Sequence, residues 1–301
     1  MLALLDRFTF RGANMEIFEL RYFLGVAQTQ NIHQAALKLR VSPAALSKAI
    51  SRLEAELNVK LFVREGRNIK INDHGRLLER KASEIVHLEE STKIAVGGHD
   101  GVIHVVIAGP EILLTKFALP VSQAIKKKYP NSTYEFHTVD DGETLAQVQR
   151  GEAHIGIVTA AVPDDLEGQV LGEVEFKTYV GAGHHLHERA LRKRAIPVAE
   201  VLVHDFVSPT VPILGSVGAK QSLDGWRDDK FPRRVTYAAS SLKLLEELVV
   251  SGTAIGYLPD HFAEKLAVFP LKITDCPYRC QQKISLVIRS EREIGWLNQV
   301  F

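Results

Sequence analysis

Residues 31–57 have the sequence NIHQAALKLRVSPAALSKAISRLEAEL. Its pattern predicts two short helices joined by a tight turn. Asn31 can cap the first helix, and Gln34 three residues later completes a capping box. Ser42 can cap the second helix, and Pro43 then takes the first helical position, where its missing N–H is harmless.

The second helix has two unlike faces. Its large aliphatic residues step by four, three and four, which predicts one buried stripe made of Leu46, Ile50, Leu53 and Leu57. At about 100° per residue, the opposite side carries small residues, hydroxyls and two cations, namely Ala44, Ser47, Lys48, Ser51 and Arg52. Small residues let a helix approach a surface closely, and hydroxyls and cations suit base edges and phosphates. This side has the chemistry of a recognition helix in a DNA major groove, although an ordinary amphipathic helix with a solvated face gives the same pattern.

A basic hairpin is predicted directly after the helix pair. Residues 61–63 and 69–71 read as short strands around Glu65-Gly66-Arg67-Asn68, where Gly and Asn favour a turn. Residues 31–81 contain eleven Lys and Arg against five Asp and Glu, an excess of six, whereas the whole chain carries +1. The positive charge is therefore local, as a phosphate-binding surface requires.

Residues 16–78 resemble the winged helix-turn-helix of LysR-type transcriptional regulators. The matching positions occur in order and without gaps, at Leu20-Arg21-Tyr22-Phe23, Ala35-Ala36, 41–47 (VSPAALS), 50–54 (ISRLE), Leu57, Leu61-Phe62, Arg64 and Gly75. Pro43, Ala45 and Asn72 depart from the usual family residues, which bears on site preference rather than on DNA binding. The resemblance implies a homodimer or homotetramer that binds double-stranded DNA and senses a small-molecule effector through its C-terminal domain.

A long helix is predicted after the wing, from Asp73 to about Val96, with Asn72 as its cap. Apolar residues recur near three-and-four spacing along it, at Leu78, Ala82, Ile85 and Val96, with Thr92 in the same series. This stripe could pack on its own domain. We favour pairing with a second chain, as the resemblance implies, because a single amphipathic linker has little else to bury against.

The remaining chain alternates strands with helices, which is typical of an α/β layer fold. Strands are predicted at 102–108, 133–138, 154–159, 176–180, 254–259, 268–274 and 283–288, with helices at 113–129, 144–150 and 240–251. Residues 181–237, rich in Gly, Pro and His, are expected to be irregular, and a last helix is expected from Glu291. Residues 241–265 also resemble the LysR effector domain, which implies a bilobed α/β domain similar to periplasmic binding proteins.

The predicted organisation has four parts. An N-terminal extension covers residues 1–14, a winged helix-turn-helix 15–72, a linker helix 73–97 and an effector-binding domain 98–301. Mapping the family's two lobes onto the chain places lobe one at 102–179 and 267–301, and lobe two at 180–266.

Two sets of site residues follow. The DNA-binding set is His33, Gln34, Ser42, Pro43, Ala44, Ser47, Lys48, Ser51, Arg52 and, on the wing, Arg64 and Arg67. Ligands of open α/β sheets bind outside the carboxyl ends of the strands, which predicts an effector site at Gly109, Pro110, Glu111, Thr138, Val139, Asp140 and Thr159. The resemblance adds Ser208, Pro209 and Thr210 from lobe two. Glu111 stands where many relatives place Ser or Thr against an anionic effector, so we expect a neutral or cationic effector here.

Other function classes have little support. The apolar run at residues 2–5 is broken by Asp6-Arg7, so neither a signal peptide nor a membrane span is predicted, and a cytoplasmic location is expected.

Metal and catalytic sites are also not predicted. The side chains of adjacent residues point in different directions, so His184-His185 favours a polar loop over a metal site, and Asp140-Asp141 favours a turn over a catalytic pair. No phosphate loop, dinucleotide fingerprint or Gly-x-Ser-x-Gly motif occurs, so neither enzymatic activity nor a cofactor is predicted. A bilobed small-molecule receptor without DNA function is the alternative, but it leaves the basic head unexplained.

Overall fold

The structure, a computed structural model, describes residues 15–65, 68–97, 103–214 and 220–289. The chain forms two compact units, one up to residue 98 and one from residue 99. The predicted extension over 1–14, the wing residue Arg67 and the predicted helix from Glu291 lie outside the described residues. No helix within the described ranges is both long and apolar enough to cross a membrane.

Unit one is a three-helix head followed by a hairpin and a long helix. Its elements are α1 (Ile17–Thr29), α2 (Ile32–Leu39), α3 (Pro43–Leu57), β1 (Phe62–Glu65), β2 (Asn68–Ile71) and α4 (Asp73–Gly97). β1 and β2 are antiparallel, with Phe62 opposite Ile71 and Glu65 opposite Asn68. The predicted winged helix-turn-helix is therefore present.

Side-chain caps fix the helix starts. The Asn31 side chain accepts hydrogen bonds from the backbone N–H groups of His33 and Gln34, and Ser42 Oγ accepts one from Ala45. At the start of α4, Asn72 Oδ1 accepts the N–H of Gly75 at 2.9 Å. The three predicted capping residues are confirmed, and they place the turn between α2 and α3 where the sequence indicated it.

The buried stripe of α3 is one residue shorter than predicted. Leu46, Ile50 and Leu53 are buried against Leu20 and Phe23 of α1, together with Ala49, which the stripe did not include. Leu57, in contrast, is 38% exposed. Its prediction as a buried residue was wrong because α3 ends there, and the chain turns away at the left-handed residue Asn58 (φ 53).

The long helix α4 packs against its own head on one side only. Ala82 and Val86 are buried in the head core, and Arg21 on α1 pairs with Glu89 at 2.7 Å. Among the other apolar residues of α4 whose side chains are described, Leu78 is half-buried against the head core, whereas Leu77, Ile85, Leu88 and Val96 are exposed, as is Thr92. The predicted stripe therefore splits, because Val86 and Glu89, rather than Ile85 and Thr92, face α1.

Unit two alternates strands and helices as predicted. Its elements are β3 (His104–Gly109), α5 (Glu111–Leu113), a π-helical turn (Leu114–Ala118), α6 (Leu119–Lys128), β4 (Thr133–Thr138), α7 (Asp141–Arg150), β5 (Ile155–Val158), β6 (Glu167–Gly181), α8 (His187–Leu191), β7 (Ala195–Pro197), α9 (Val198–Val201), β8 (Asp205–Pro209), β9 (Arg234–Ala239), α10 (Leu242–Val250), β10 (Ile255–Pro259), α11 (Asp260–Ala263), β11 (Val268–Pro270), β12 (Lys272–Thr274) and β13 (Gln281–Ile288). The predicted helix 113–129 contains the π turn because Pro120 has no N–H to continue the α-helical bonding.

Strand β6 joins the two lobes. The strand order is β4-β3-β5-β13-β6-β10-β8-β9, with β11 also paired to β6. Residues 167–175 of β6 pair with β13, whereas residues 176–181 pair with β10 and β11. β3 runs parallel to β4 and β5, and β8 runs parallel to β9 and β10, so each lobe has its own parallel strands. The domain is bilobed α/β, as expected.

Two details of unit two differ from the prediction. Residues 181–237 are not wholly irregular, because α8, β7, α9 and β8 lie within them and β9 begins at Arg234. The lobe boundary predicted at residue 267 is also displaced. Residues 268–270 pair with β6 in the second lobe, Leu271 is buried in that lobe's core, and β12 pairs with β7.

Candidate functional site

The outward side of α3 carries the predicted DNA-binding residues. Ser42, Pro43, Ala44, Lys48, Ser51 and Arg52 are exposed, and Ser47 is half-buried. His33 and Gln34 are exposed in the first turn of α2, where their N–H groups bond Asn31, and Arg64 is exposed on β1. Lys48 and Arg64 make no ion pair with any described residue, so their charges are available to phosphates.

Arg52 differs from the other cations of this surface because a buried carboxylate holds it. Its Nε lies 3.3 Å from Oε1 of Glu19, whose side chain is only 1% exposed. The other carboxylate oxygen of Glu19 accepts the backbone N–H of Glu16 at 3.1 Å. Sequence reasoning missed Glu19, although a carboxylate among the core-facing residues of α1 was a visible anomaly.

The predicted effector residues only partly meet at one cavity. A cavity of about 300 Å³ lies between the two lobes of unit two. The nominated residues that line it are Pro110, Glu111, Thr138, Val139, Asp140 and Pro209. The lining residues that prediction missed are Ile112, Val211, Pro212, Ile213, Ala239, Ser240, Ser241, Leu242 and Leu245. Four predicted residues, Gly109, Thr159, Ser208 and Thr210, are not among the residues lining it.

The cavity is apolar with two acids. Glu111 and Asp140 are the charged members among the described residues that line it, and both are acidic. The Asp140 side chain also caps α7, by accepting the N–H of Glu143 at 2.9 Å, and Ser241 caps α10 through Leu244 at 3.3 Å. The described walls therefore provide negative charge, hydroxyls and aliphatic surface for a ligand.

Comparison with known families assigns both units. The model of a bacterial regulatory helix-turn-helix protein, lysR family, matches residues 17–76, and that of the LysR substrate binding domain matches residues 101–301. The chain belongs to the LysR family. This LysR regulator is therefore a DNA-binding transcriptional regulator with an effector-binding domain.

Individual relatives and structures agree with this assignment over nearly the whole chain. The transcriptional dual regulator GltC of Bacillus subtilis is 26% identical over 286 residues, which cover 93% of each protein. The full-length structure of LysG from Corynebacterium glutamicum, with bound effector Arg, has a TM-score of 0.61 at 20% identity, covering 95% of this chain and 96% of LysG. CbnR complexed with target DNA has a TM-score of 0.52 at 18% identity, covering 95% and 98%. Because these structural likenesses lie below 25% identity, they establish only the shared fold.

Asp141 explains why Thr159 of the LysR regulator is not available to the cavity. One Asp141 oxygen accepts hydrogen bonds from the N–H and hydroxyl of Thr159, at 3.0 and 2.8 Å, and from the N–H of Ala160 at 2.7 Å. Burial raises the pKa of Asp141 although these hydrogen bonds oppose the shift. The neighbouring acids thus have separate tasks, since Asp140 caps a helix and Asp141 holds the loop after β5.

Three histidines pack together in the second lobe. The ring centroid of His184 lies 5.0 Å from that of His204 and 6.2 Å from that of His185. Burial lowers the pKa of His184 to about 4 and also lowers that of His204. No cluster of three His, Cys, Asp or Glu side chains in the described part of the chain is arranged to hold a metal ion.

Proposed function

We propose that the LysR regulator recognises its operator with the outward side of α3 in the major groove. One observation supports this most strongly: small, hydroxyl and cationic side chains are exposed along α3 above a buried stripe. In this proposal Ser42, Pro43, Ala44, Ser47, Lys48, Ser51 and Arg52 meet the groove. Arg64 and Arg67 of the wing meet the backbone or minor groove, and His33 and Gln34 bond a phosphate at the start of α2.

A salt series tests the proposed contacts. An operator fragment is first selected from genomic DNA, and its affinity is then titrated by gel shift at several salt concentrations. Lys48→Ala should reduce the slope of log affinity against log salt by about one, because one phosphate contact is lost. Lys126→Ala on α6, a cation of unit two, is the matched control and should leave the slope unchanged. Equal slopes for Lys48→Ala and the unmodified protein would contradict the assignment.

The exposed row on α4 supports pairing with a second copy. Leu77, Ile85, Leu88 and Val96 leave aliphatic surface in water on the side of α4 that does not pack on the head. In this proposal the row contacts its counterpart in a homodimer or homotetramer, and each pair of heads binds two half-sites. Ile85→Glu should shift the sedimentation of the protein toward monomer. Gln28→Glu, which adds the same charge at an exposed position of α1 outside this row, should not.

The effector, in this proposal, is neutral or cationic and binds in the cavity between the lobes. The two acids and the apolar walls support it, since a buried carboxylate ligand would be repelled by Glu111 and Asp140. The likeness to LysG, described with bound effector Arg, makes a guanidinium compound a natural first probe. Calorimetry with alkylamines, alkylguanidines and matched carboxylates tests the charge preference. Tight binding of the carboxylates alone would refute it.

Two substitutions distinguish ligand binding in the cavity from binding elsewhere on the protein surface. Glu111→Gln should weaken the binding of an amine, because it removes one of the two negative charges that line the cavity. Glu188→Gln on α8 should not.

In this proposal, effector binding shifts a two-state equilibrium of the lobes and, through the paired chains, the spacing of the DNA-binding heads. This activity would take place in the cytoplasm, where the operator is.

A further inference from the structure

One wall of the effector cavity between the lobes also contacts the second lobe at a point outside the cavity. Pro110, Glu111 and Ile112, at the start of α5 in the first lobe, line the cavity. His261 lies on α11, which follows β10 of the second lobe, and it is not among the described residues that line the cavity. Its Nε2 is 3.4 Å from the carbonyl oxygen of Ile112. A residue of one lobe therefore contacts the cavity wall that the other lobe provides.

Two more contacts join the same parts of the lobes. Lys265 Nζ, just after α11, donates to the carbonyl of Thr115 at 3.3 Å, and the ring centroid of His261 is 6.4 Å from that of Phe117. Thr115 and Phe117 belong to the π-helical turn that continues α5. Turns of this kind occur frequently at functional sites. Residues 112–117 of the first lobe thus contact one short segment of the second lobe, residues 261–265.

The hydrogen bond to Ile112 fixes which nitrogen of His261 carries the proton. A carbonyl oxygen only accepts, so Nε2 is the donor and Nδ1 of the neutral ring has a lone pair. The residue is 3% exposed, and Nδ1 has no hydrogen-bond partner among the described residues. Oδ1 of Asp260 is 3.9 Å from Nδ1, and it accepts the backbone N–H of His261 at 2.7 Å. A second proton, on Nδ1, would therefore be buried without an acceptor in hydrogen-bonding distance.

The surroundings of His261 disfavour that second proton. Burial lowers the pKa of His261, and the positive charges of Lys116 and Lys265 lower it further. The hydrogen bond to the backbone and the negative charge of Asp260 act in the opposite direction but do not prevail. On β6, burial raises the pKa of Tyr179 to about 12, so this side chain stays neutral. β10 contains no charged residue. The observed contact with the cavity wall is therefore the contact of a neutral ring.

We propose that His261 is a positioning residue for the effector cavity, whose neutral ring holds α5 in place through the Ile112 carbonyl and whose protonation releases this wall and weakens effector binding. The proposal rests on the proposed function of the cavity. A charged ring next to two lysines is unfavourable in a buried place, so a protonated His261 has to move toward water and leave Ile112. Effector affinity should therefore fall as the pH drops through the pKa of His261, which lies below its usual range.

The wall can be observed without any effector. In protein with isotope-labelled isoleucine methyl groups, the δ1-methyl signal of Ile112, assigned by its absence from Ile112→Val, should shift as the pH falls from about 7.5 to about 5. The Gln amide of His261→Gln can donate to the same carbonyl but does not titrate, so in this variant the signal should stay fixed. Ile125 on α6 is buried in the first lobe, and its signal should stay constant in both proteins. An Ile112 signal that does not move in the unmodified protein, or that moves equally in His261→Gln, would overturn the proposal.

The effect on binding is measured by calorimetry with butylguanidine, whose guanidinium stays charged throughout this pH range. Its affinity should fall about two- to tenfold between about pH 7.5 and about pH 5, which corresponds to a difference of up to about one pKa unit. The comparison with His261→Gln, in which the fall should be absent, isolates His261, because both proteins retain Glu111 and Asp140. His104→Gln, which replaces an exposed histidine of β3, is the matched control and should keep the fall seen in the unmodified protein.

The two measurements separate a failure of this proposal from a failure of the proposed effector class. If butylguanidine does not bind, that result counts against a cationic effector, and the Ile112 titration alone confirms or overturns the role of His261. If butylguanidine binds and loses the same affinity in both proteins, His261 has no positioning role. Thermal unfolding at both pH values establishes that the compared proteins are folded. Should His261→Gln fail to fold, an Ile112 signal that stays constant in the unmodified protein would still overturn the proposal.

Discussion

Replacing Glu19 by Gln should lower the specificity of DNA binding without lowering non-specific affinity. Glu19 has no exposed surface with which to touch DNA, since its side chain is 1% exposed. It acts on Arg52, whose Nε lies 3.3 Å from its carboxylate and whose side chain is 53% exposed. The buried carboxylate thus restrains a cation that the proposed interface uses.

The magnitude follows from that restraint. Ordering a long side chain at an interface costs about 0.5–1.5 kcal/mol. In the unmodified protein Glu19 already restrains Arg52, whereas in Glu19→Gln the side chain of Arg52 must be ordered when DNA binds. At about 1.4 kcal/mol per factor of ten, operator affinity should fall about two- to tenfold. Non-specific affinity should stay level or rise, because the variant removes one negative charge beside the phosphates.

The assay is fluorescence anisotropy with operator and scrambled duplexes at one salt concentration. Glu84→Gln, which removes the Lys81 ion pair on α4 with the same change of charge, is the control. Arg52→Lys keeps the positive charge but loses the planar donor group, so it should lose specificity as Glu19→Gln does. An unchanged ratio of operator to scrambled affinity in Glu19→Gln would refute the positioning role, provided that thermal unfolding shows a folded protein.

Three further predictions concern stability. Arg233→Met should lower the free energy of unfolding by about 3–5 kcal/mol, because Asp224, 1% exposed and 2.6 Å from Arg233, keeps its charge without a cation; a change below about 1 kcal/mol in urea unfolding would contradict this. The urea midpoint should also fall as the pH drops from about 6.5 toward 4. In this range His184 binds a proton in the unfolded chain but not in the folded protein, where its pKa is about 4, so acid favours the unfolded state. His184→Asn should flatten this pH dependence of the urea midpoint. Gly75→Ala should destabilise unit one by about 1–3 kcal/mol in thermal unfolding, because its Cβ would lie 2.4 Å from the carbonyl oxygen of Leu61; an unchanged melting temperature would exclude this clash.

Features set by short-range chemistry were predictable from the sequence. The caps at Asn31, Ser42 and Asn72 depend on hydrogen bonds spanning two or three residues, so the local sequence determines them. The wing follows from the turn formers Gly66 and Asn68 between two short, largely apolar runs of sequence. The alternation of strands and helices after residue 102 likewise indicated the α/β class.

Features set by distant packing were not predictable in the same way. The partner of Arg52 lies thirty-three positions earlier in the chain, and β11 joins the second lobe by pairing with a strand almost ninety residues before it. Hydrophobic periodicity carries no information about such pairings. The effector cavity shows both kinds of feature. The rule that ligands bind outside the carboxyl ends of parallel strands found Glu111 and Asp140, but it missed the wall formed by residues 211–213 and 239–245.

Operator binding by Ser47→Glu decides whether α3 is the recognition helix. This substitution places a carboxylate in the middle of the outward side of α3, where the proposed groove contact would bring it against base edges and phosphates. Gln28→Glu on α1 makes the same change of charge in the same unit, outside the proposed contact set. We predict a loss of operator affinity of at least about a hundredfold for Ser47→Glu and little change for Gln28→Glu, with both proteins folded. Equal operator affinity for the two variants would contradict recognition through α3.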